Sequence, residues 1–368
     1  MSIAYSGFDH ACMARALQLA EQGLWTTRPN PRVGCVIAQG ERIVGEGAHL
    51  VAGEPHAEVH ALRHAGTAAR GGTAYVTLEP CAHTGRTPPC ADALLAAGIA
   101  RVVVATRDPF PKVDGRGTAR LRACGVRVDV GLMEDAAREL NVGFFSRIER
   151  GRPWLRLKLA ASLDGRTALA HGESKWITSS AARADVQRWR ARACAILSSS
   201  ATIRADDPML TVRIAHSLPI PAPLRVIVCG PGGMPTDAKL LHDRAAEVLL
   251  VHADGQPMRP FPDRVETLAL PPARFGVELS ALLHALAERG INEVHSECGP
   301  RLAGALLAQG LADELLLYQA PLLLGERGRP LLAGIDPATM EQRVGMRVID
   351  RRMIGEDARL LLRPIRFT

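Results

Sequence analysis

Between His56 and Cys90 the chain gathers residue types that suit a hydrolytic metal centre. His56 sits in P-H-A-E-V, and Cys81 and Cys90 bracket the run E-P-C-A-H-T-G-R-T-P-P-C. One imidazole and two thiolates are ligands that a borderline-soft Zn²⁺ prefers, and a three-ligand site leaves the fourth tetrahedral position to water. Glu58, two residues beyond the histidine, is placed to move protons rather than to bind metal. Zinc lowers the pKa of its water toward neutrality. Attack on an amidine-like ring carbon, with Glu58 carrying the proton to departing ammonia, would be a hydrolytic deamination.

H-x-E followed by P-C-x-x-C is the signature of zinc-dependent nucleobase deaminases. The chain matches its first half and its Pro-Cys opening, but eight residues rather than two separate the cysteines. That insert is made of turn formers and would loop over the metal, offering His83 and Arg86 to a substrate. Blander readings exist for each part. A lone His-x-Glu arises by chance, and buried cysteines are often just small hydrophobes. His56 and His60 could share a helix face, but zinc peptidases place the glutamate next to the first histidine, and that pairing explains neither cysteine. His60 and His64 read as surface or packing residues.

The elements that must position these groups alternate as in an α/β layer fold. Asp9 to Gly23 reads as a helix, Val33–Ala38 and Arg42–Gly47 as strands, and Pro55 to His64 as a helix with proline in its first turn. Gly72–Leu78 is a strand, Ala91–Ala97 a helix closed by Gly98, and Arg101–Ala105 a buried strand. A further α/β pair spans Gly117–Val130, with a helix from Met133 to Asn141. His56, Glu58 and Cys90 thus fall at helix N-termini, where the dipole favours thiolates. The charged run R-I-E-R-G-R-P (147–153) marks a boundary, dividing the chain into 1–147 and 152–368.

Beyond it, Leu155, Leu157 and Leu159 alternate with Arg156 and Lys158, the period of a strand. Ala195–Ser199, Leu224–Val228, Val248–Val251, Glu293–Glu297 and Glu314–Gln319 are further strands, whereas Leu218–Pro272 is too rich in Pro and Gly to assign. Asp206–Arg213 reads as a turn and a short strand. Glu297-Cys298-Gly299-Pro300 passes into a helix, Arg301–Ala308, whose free N-terminal amides could meet a cofactor phosphate, although an ordinary strand-to-helix turn reads the same way. No G-x-G-x-x-G is present. Arg190 and Arg213 could fork onto a substrate phosphate.

At 368 residues two domains are the natural division, and a hydrophobic share of 47% suffices for two cores. No apolar run is long enough for a membrane span, and no signal peptide opens the chain, so a cytoplasmic protein is expected. The net charge of +7 is dispersed and aromatics are only 4%, which argues against a single-strand nucleic-acid groove and favours small anions.

T-T-R-P-N-P-R-V-G-C-V, G-E-P-H-A-E-V-H-A-L, Y-V-T-L-E-P-C-A-H-T-G-R-T-P-P-C, L-K-L-A-A-S-L-D-G-R-T-A, S-S-S-A-T-I-R-A-D-D-P-M-L-T-V-R and E-C-G-P-R-L-A-G-A-L-L together resemble the bifunctional riboflavin-biosynthesis deaminase-reductases, over nearly the whole chain. The long cysteine insert is itself a trait of that family. The resemblance implies a cytidine-deaminase-like α/β/α domain followed by a dihydrofolate-reductase-like α/β domain. It implies zinc-dependent deamination of 2,5-diamino-6-(5-phosphoribosylamino)pyrimidin-4-one. NADPH-dependent reduction of the ribose of 5-amino-6-(5-phosphoribosylamino)uracil would follow.

By position, His56, Cys81 and Cys90 would hold one zinc and Glu58 would be the proton carrier. Asn30, His49, His83 and Arg86 resemble residues lining the pyrimidine and phosphate site. Ala160, Trp176, Thr202, Asp206 and the run Gly299, Pro300, Arg301, Leu302, Ala303, Gly304, Ala305 would contact NADPH. Ser174, Arg190, Leu210, Arg213 and Glu297 would contact substrate. Lys158 and Glu297 are candidates for protonating the open-chain imine and for orienting the sugar. One departure stands out: where the family often has an acidic residue and a cofactor-binding serine after the strand Leu224–Val228, this chain has Cys229-Gly230-Pro231-Gly232-Gly233. A homo-oligomer, dimer or tetramer, is expected. The alternatives are a deaminase of another nucleotide or of tRNA joined to a cofactor-binding module, and a structural zinc site beside a binding module.

Overall fold

The computed structural model describes residues 4–82, 89–274 and 276–365. It divides into two compact units, 1–150 with Leu218–Ile220, and 151–217 with 221–368. The expected boundary segment is partly helical, since the last helix of the first unit runs through Arg150.

The first unit contains α1 (Gly7–Glu21), β1 (Gly34–Gln39), β2 (Arg42–Ala48), α2 (Ala57–Ala65), β3 (Thr73–Val76), α3 (Cys90–Ala96), β4 (Arg101–Val104), α4 (Arg116–Ala123), β5 (Arg127–Val130), α5 (Glu134–Leu140) and α6 (Val142–Arg150). Its sheet has the order β2-β1-β3-β4-β5, antiparallel across β2-β1-β3 and parallel across β3-β4-β5. Both faces are covered. Cys35, Ile37, Ala74, Val76, Val102 and Val104 pack under α2 and α3 on one side. Val36, Tyr75 and Val103 meet Met13 and Ala16 of α1 on the other. Ser6 caps α1 in a capping box with Asp9, which satisfies two of the helix's orphan donors.

Two glycines of β2 set the height of α2. A Cβ on Gly47 would lie 2.2 Å from the Ala57 carbonyl oxygen, and one on Gly45 would lie 2.3 Å from that of Ala61. With no side chains there, the helix rests directly on the strand backbone. Its N-terminus, carrying His56 and Glu58, is fixed by that contact.

The second unit contains β6 (Trp154–Ser162), β7 (Arg166–Ala168), α7 (Ser180–Arg192), β8 (Ala195–Ser199), α8 (Ser200–Asp206), β9 (Leu224–Val228), α9 (Lys239–His242), β10 (Val248–Ala253), β11 (Val265–Leu270), β12 (Pro272–Ala273), β13 (Gly276–Val277), α10 (Leu279–Glu288), β14 (Glu293–Ser296), α11 (Pro300–Ala308), β15 (Glu314–Ala320), β16 (Arg329–Pro330), β17 (Met346–Ile354) and β18 (Asp357–Pro364). Nine strands form one sheet, β11-β10-β9-β8-β14-β6-β15-β18-β17. It is parallel as far as β15 and antiparallel in its last two pairs. In such a sheet ligands gather at the carboxyl ends of the strands.

The alternation read in β6 is present, but neither side faces water. Leu155, Leu157 and Leu159 enter the core shared with α10 and α11. Arg156, 1% exposed, lies on the opposite face within a layer of buried charge. It bonds to Glu314 (Nε–Oε2 2.5 Å) and meets Glu293 (Nη1–Oε2 3.3 Å), while Arg192 of α7 also holds Glu293 at 2.7 Å. Its guanidinium lies 4.5 Å from the centre of the Trp189 ring. Removing one partner from such a buried pair typically costs about 3–5 kcal/mol.

The segment Asp206–Arg213 departs from expectation. No strand forms there. Asp207 (φ 42°) and Leu210 (φ 50°) both take left-handed backbone, a conformation costing roughly 1–2 kcal/mol each for such residues, so the chain turns instead of extending.

Candidate functional site

In the first unit, His56 is the N-cap of α2. Its extended backbone (ψ 168°) turns the imidazole away from the helix and toward the end of β3. Cys81 follows β3, and Cys90 is the first residue of α3. His56 Nδ1 lies 3.2 Å from Cys90 Sγ and 3.7 Å from Cys81 Sγ, and all three ligand atoms lie within 4.8 Å of one another. These separations suit one tetrahedral ion with bonds of about 2.0–2.3 Å. The Cys90 amide donates to Cys81 Sγ at 3.3 Å, so the start of α3 supports a thiolate. Hydrogen bonding from Cys90 leads the causes that push the Cys81 thiol down to about 4, while the same contact pushes Cys90 far up. Among the described residues no fourth His, Cys, Asp or Glu joins the cluster.

Glu58 is 3% exposed, and its Oε2 has no hydrogen-bond partner. Burial raises its carboxyl to about 7 against the opposing charge of His56. A buried, unsatisfied carboxylate oxygen next to three metal donors is the part a water-activating site needs, so the residues fit zinc.

Asn30 and His49 stand beside this cluster. The His49 ring meets the His56 ring edge-on at 5.2 Å. His49 Nδ1 faces the Pro55 carbonyl at 3.2 Å, which can only accept, so Nδ1 carries the proton. Nε2 therefore accepts from Asn30 Nδ2 at 3.1 Å, and the amide oxygen of Asn30 is left for a ligand. Burial pushes His49 down to about 4, so the ring is neutral near pH 7. His83 and Arg86 lie outside the described residues. His64 is used elsewhere, accepting from the Glu46 amide at 3.2 Å.

Sequence reasoning passed over Glu79 and Asp108. Glu79 accepts from the amides of Gly115 (3.0 Å) and Thr118 (2.9 Å), tying the E-P-C turn to the start of α4. Gly117 approaches so closely that a Cβ would fall 1.8 Å from the Pro80 carbonyl oxygen. Asp108, beyond the end of β4, is buried. Burial raises its carboxyl to about 7, opposed by the hydrogen bond it accepts from the Phe110 amide. The signal available was an Asp-Pro just beyond a buried strand, which is weak.

In the second unit, Lys158 of β6 and Glu297 at the end of β14 come together with Arg190 of α7. Arg190 donates through Nε (2.5 Å) and Nη2 (2.8 Å) to the two oxygens of Glu297, and through Nη1 to the Thr211 carbonyl at 3.0 Å. Burial works against ionisation of Glu297, but Arg190 outweighs it and holds the carboxyl well below the usual range. Burial lowers the Lys158 ammonium, with Glu297 opposing. Arg190 is thus committed to Glu297, whereas the Arg213 side chain is exposed.

The other candidates separate. Ala160 and Ser174 are half-buried. Trp176 is 69% exposed, with the Arg183 guanidinium 4.3 Å from its ring centre. The Leu210 side chain is spent in a core with Ile203 and Met234. Thr202 faces Gly299, whose hypothetical Cβ would sit 3.9 Å from Thr202 Oγ1. Gly299 caps α11 without a side-chain hydrogen bond, and Pro300 is its first residue. Leu302, Ala303, Gly304 and Ala305 are buried in that helix, so Gly299, Pro300 and Arg301 form its accessible end. Asp206 is exposed at the end of α8. At the Cys229-Gly230 departure, the Gly230 amide donates to Ser200 Oγ (3.1 Å) and its carbonyl accepts from Gln256 Nε2 (3.1 Å). A Cβ on Gly230 would meet nothing within 4 Å. The open ground above Gly230 and Gly299, at the carboxyl ends of β9 and β14, fits a nucleotide cofactor.

Residues 6–106 match the model of the cytidine and deoxycytidylate deaminase zinc-binding region, and residues 153–358 match that of the RibD C-terminal domain. The riboflavin biosynthesis protein RibD of Escherichia coli is 50% identical over 333 residues, covering 88% of this chain and 90% of that protein. The protein of the same name from Haemophilus influenzae is 43% identical over 370 residues, covering 98% of both. Among solved structures, Acinetobacter baumannii RibD superposes with a TM-score of 0.89 at 44% identity, covering 98% of this chain and 99% of that one. A Thermotoga maritima diaminohydroxyphosphoribosylaminopyrimidine deaminase/5-amino-6-(5-phosphoribosylamino)uracil reductase gives 0.87 at 32% identity, covering 97% and 99%.

Proposed function

The chain belongs to the RibD family of bifunctional riboflavin-biosynthesis enzymes, a zinc-binding deaminase joined to a reductase, and we propose how its residues share the two reactions. The observation that carries the assignment is the clustering of His56, Cys81 and Cys90 within 4.8 Å, beside the buried, unpartnered oxygen of Glu58.

Zinc held by these three residues supplies the Lewis acidity that makes water nucleophilic near neutral pH. Glu58, with its carboxyl raised to about 7, takes the proton of the attacking water and returns it to the ring and the departing amine. Asn30, oriented by His49, accepts a hydrogen bond from the pyrimidine. The substrate is 2,5-diamino-6-(5-phosphoribosylamino)pyrimidin-4-one, and by the family resemblance His83 and Arg86 are the candidates for its further contacts.

NADPH, held at the carboxyl ends of β8, β9 and β14, would supply the hydride that reduces C1′ of the ribose of the deaminated product, 5-amino-6-(5-phosphoribosylamino)uracil. Lys158 donates the proton to the imine nitrogen. Glu297, kept ionised by Arg190, is the anion that steadies Lys158 and cannot itself be the acid. Arg213, with an exposed side chain, takes the substrate phosphate in place of the committed Arg190. Ala160, Ser174, Trp176, Thr202, Asp206, the backbone at Leu210 and the end of α11 line the remaining contacts. Stereospecifically deuterated NADPH tests the scheme: label recovered anywhere but C1′ of the ribityl product would sink it.

The assembly is a homo-oligomer joined through the reductase units. β17 ends the nine-stranded sheet with an unpaired edge and exposes Val348, Ile349 and Met353. Light scattering on the purified chain checks this, and a monomer at micromolar concentration would refute it. The partners are small phosphorylated molecules rather than nucleic acid, and the compartment is the cytoplasm. All eight cysteines are free, and no described helix is long and apolar enough to cross a membrane.

A further inference from the structure

We propose that Arg204 reads the 2′-phosphate that distinguishes NADPH from NADH. The inference rests on the reading that the cofactor occupies the carboxyl ends of β8, β9 and β14. Arg204 lies on α8, two residues beyond Thr202, and its side chain reaches over the turn that follows β9. There Nη1 donates to the carbonyl oxygens of Gly233 (2.5 Å) and Gly232 (3.3 Å). Among the described residues it has no carboxylate partner. It is exposed.

Two carbonyl dipoles aim the guanidinium without cancelling its charge. Nε and Nη2 make no hydrogen bond among the described residues, and this free edge matches two phosphate oxygens. Arg289 and Arg352, also in this unit, are by contrast each tied to a carboxylate.

The turn itself supports the choice of phosphate over hydroxyl. A guanidinium fork fits phosphate oxygens, and the turn beneath Arg204 brings no carboxylate to compete for it. Here Cys229-Gly230-Pro231-Gly232-Gly233 carries no acid, and a Cβ on Gly230 would meet only open space. The missing side chain leaves room for a larger group, and Arg204 supplies the charge that such a group requires. Arg301 stands instead at the start of α11, where the pyrophosphate is placed, so the two arginines serve different phosphates.

Calorimetric titration of the full chain with 2′,5′-ADP and with 5′-AMP tests this without turnover. In Arg204→Gln, affinity for 2′,5′-ADP should fall about tenfold while that for 5′-AMP stays within about twofold. The preference for NADPH over NADH in kcat/KM should shrink in step, with Arg204→Lys intermediate. A retained 5′-AMP affinity and an unchanged melting transition of the reductase unit show that the Arg204 variants are folded. Binding of 2′,5′-ADP unaltered by Arg204→Gln, or a wild-type chain without preference between the two probes, overturns the proposal. Gly230→Leu separates this from the placement of the cofactor. If filling that ground leaves NADPH binding intact, the placement is wrong; if it blocks binding while Arg204→Gln is silent, only the role of Arg204 fails.

Discussion

Arg190 grips Glu297 with two parallel bonds, Nε to Oε1 at 2.5 Å and Nη2 to Oε2 at 2.8 Å, close to Lys158 in the middle of β6. The pair fixes which group can give up a proton. A carboxyl held ionised by a buried guanidinium is a counter-ion, whereas an ammonium lowered by burial is an acid. Lys158→Met should therefore cut hydride transfer by about a hundredfold or more, with deaminase turnover unchanged. Glu297→Gln should also slow the reductase, and should cost about 3–5 kcal/mol in denaturant melts because Arg190 is left buried and uncompensated. Full reductase activity in Lys158→Met would remove it from the mechanism.

Glu58→Gln separates catalysis from metal binding. Zinc content by elemental analysis should stay near one per chain, while ammonia release drops by about two orders of magnitude or more. Loss of the metal instead would mean that Glu58 supports the zinc site structurally.

Chelation should split the two activities. Stripping zinc ought to abolish deamination and leave NADPH oxidation on the already deaminated substrate intact. Parallel loss of both would show that the metal holds up more than its own unit.

Gly47→Ala addresses the seat of the zinc ligands. The added methyl would fall 2.2 Å from the Ala57 carbonyl oxygen, so α2 must lift. A loss of about 1–3 kcal/mol and weakened zinc affinity are expected, read by melting and by competition with a chromogenic chelator. Reductase KM values should not move.

Asp9 gives the first unit an acid limit. Burial alone would raise its carboxyl, but the Ser6 amide, Arg101, Tyr75 and the Ser6 hydroxyl outweigh it and hold it at about 2, against 3.8 ordinarily. A depressed value means stability that is present above about pH 4 and lost as pH falls toward 2. The amount is on the order of 2 kcal/mol. Asp9→Asn should lower stability at neutral pH and flatten the slope between pH 4 and 2; an unchanged slope would show that Asp9 does not set it.

The deaminase site was legible because its ligands lie in one short run, each at an element boundary with its own sequence marker. The reductase site is assembled from β6, α7 and the end of β14, and only a resemblance brought those residues together. Arg156 and Lys158 read correctly as one face of a strand, but alternation cannot tell water from a covering helix, so the buried charge layer under α7 stayed hidden. Thr211-Val212-Arg213 has β-branched character, yet the left-handed backbone of Leu210 turns the chain before a strand can form. β17 and β18 were missed because exposed arginines and apolar residues mix along β17 without a clean period.

The two-faced packing of β6 also acts as an assembly check. Sliding this strand by one residue against β14 and β15 would drive Lys158 into the leucine core and push Leu157 among the carboxylates, a trade no compact chain could tolerate. Lys158 therefore stands on the charged face of β6 in every molecule that has folded at all. Damage to the packing of β6 should show up as fewer working copies rather than as a uniformly sluggish population.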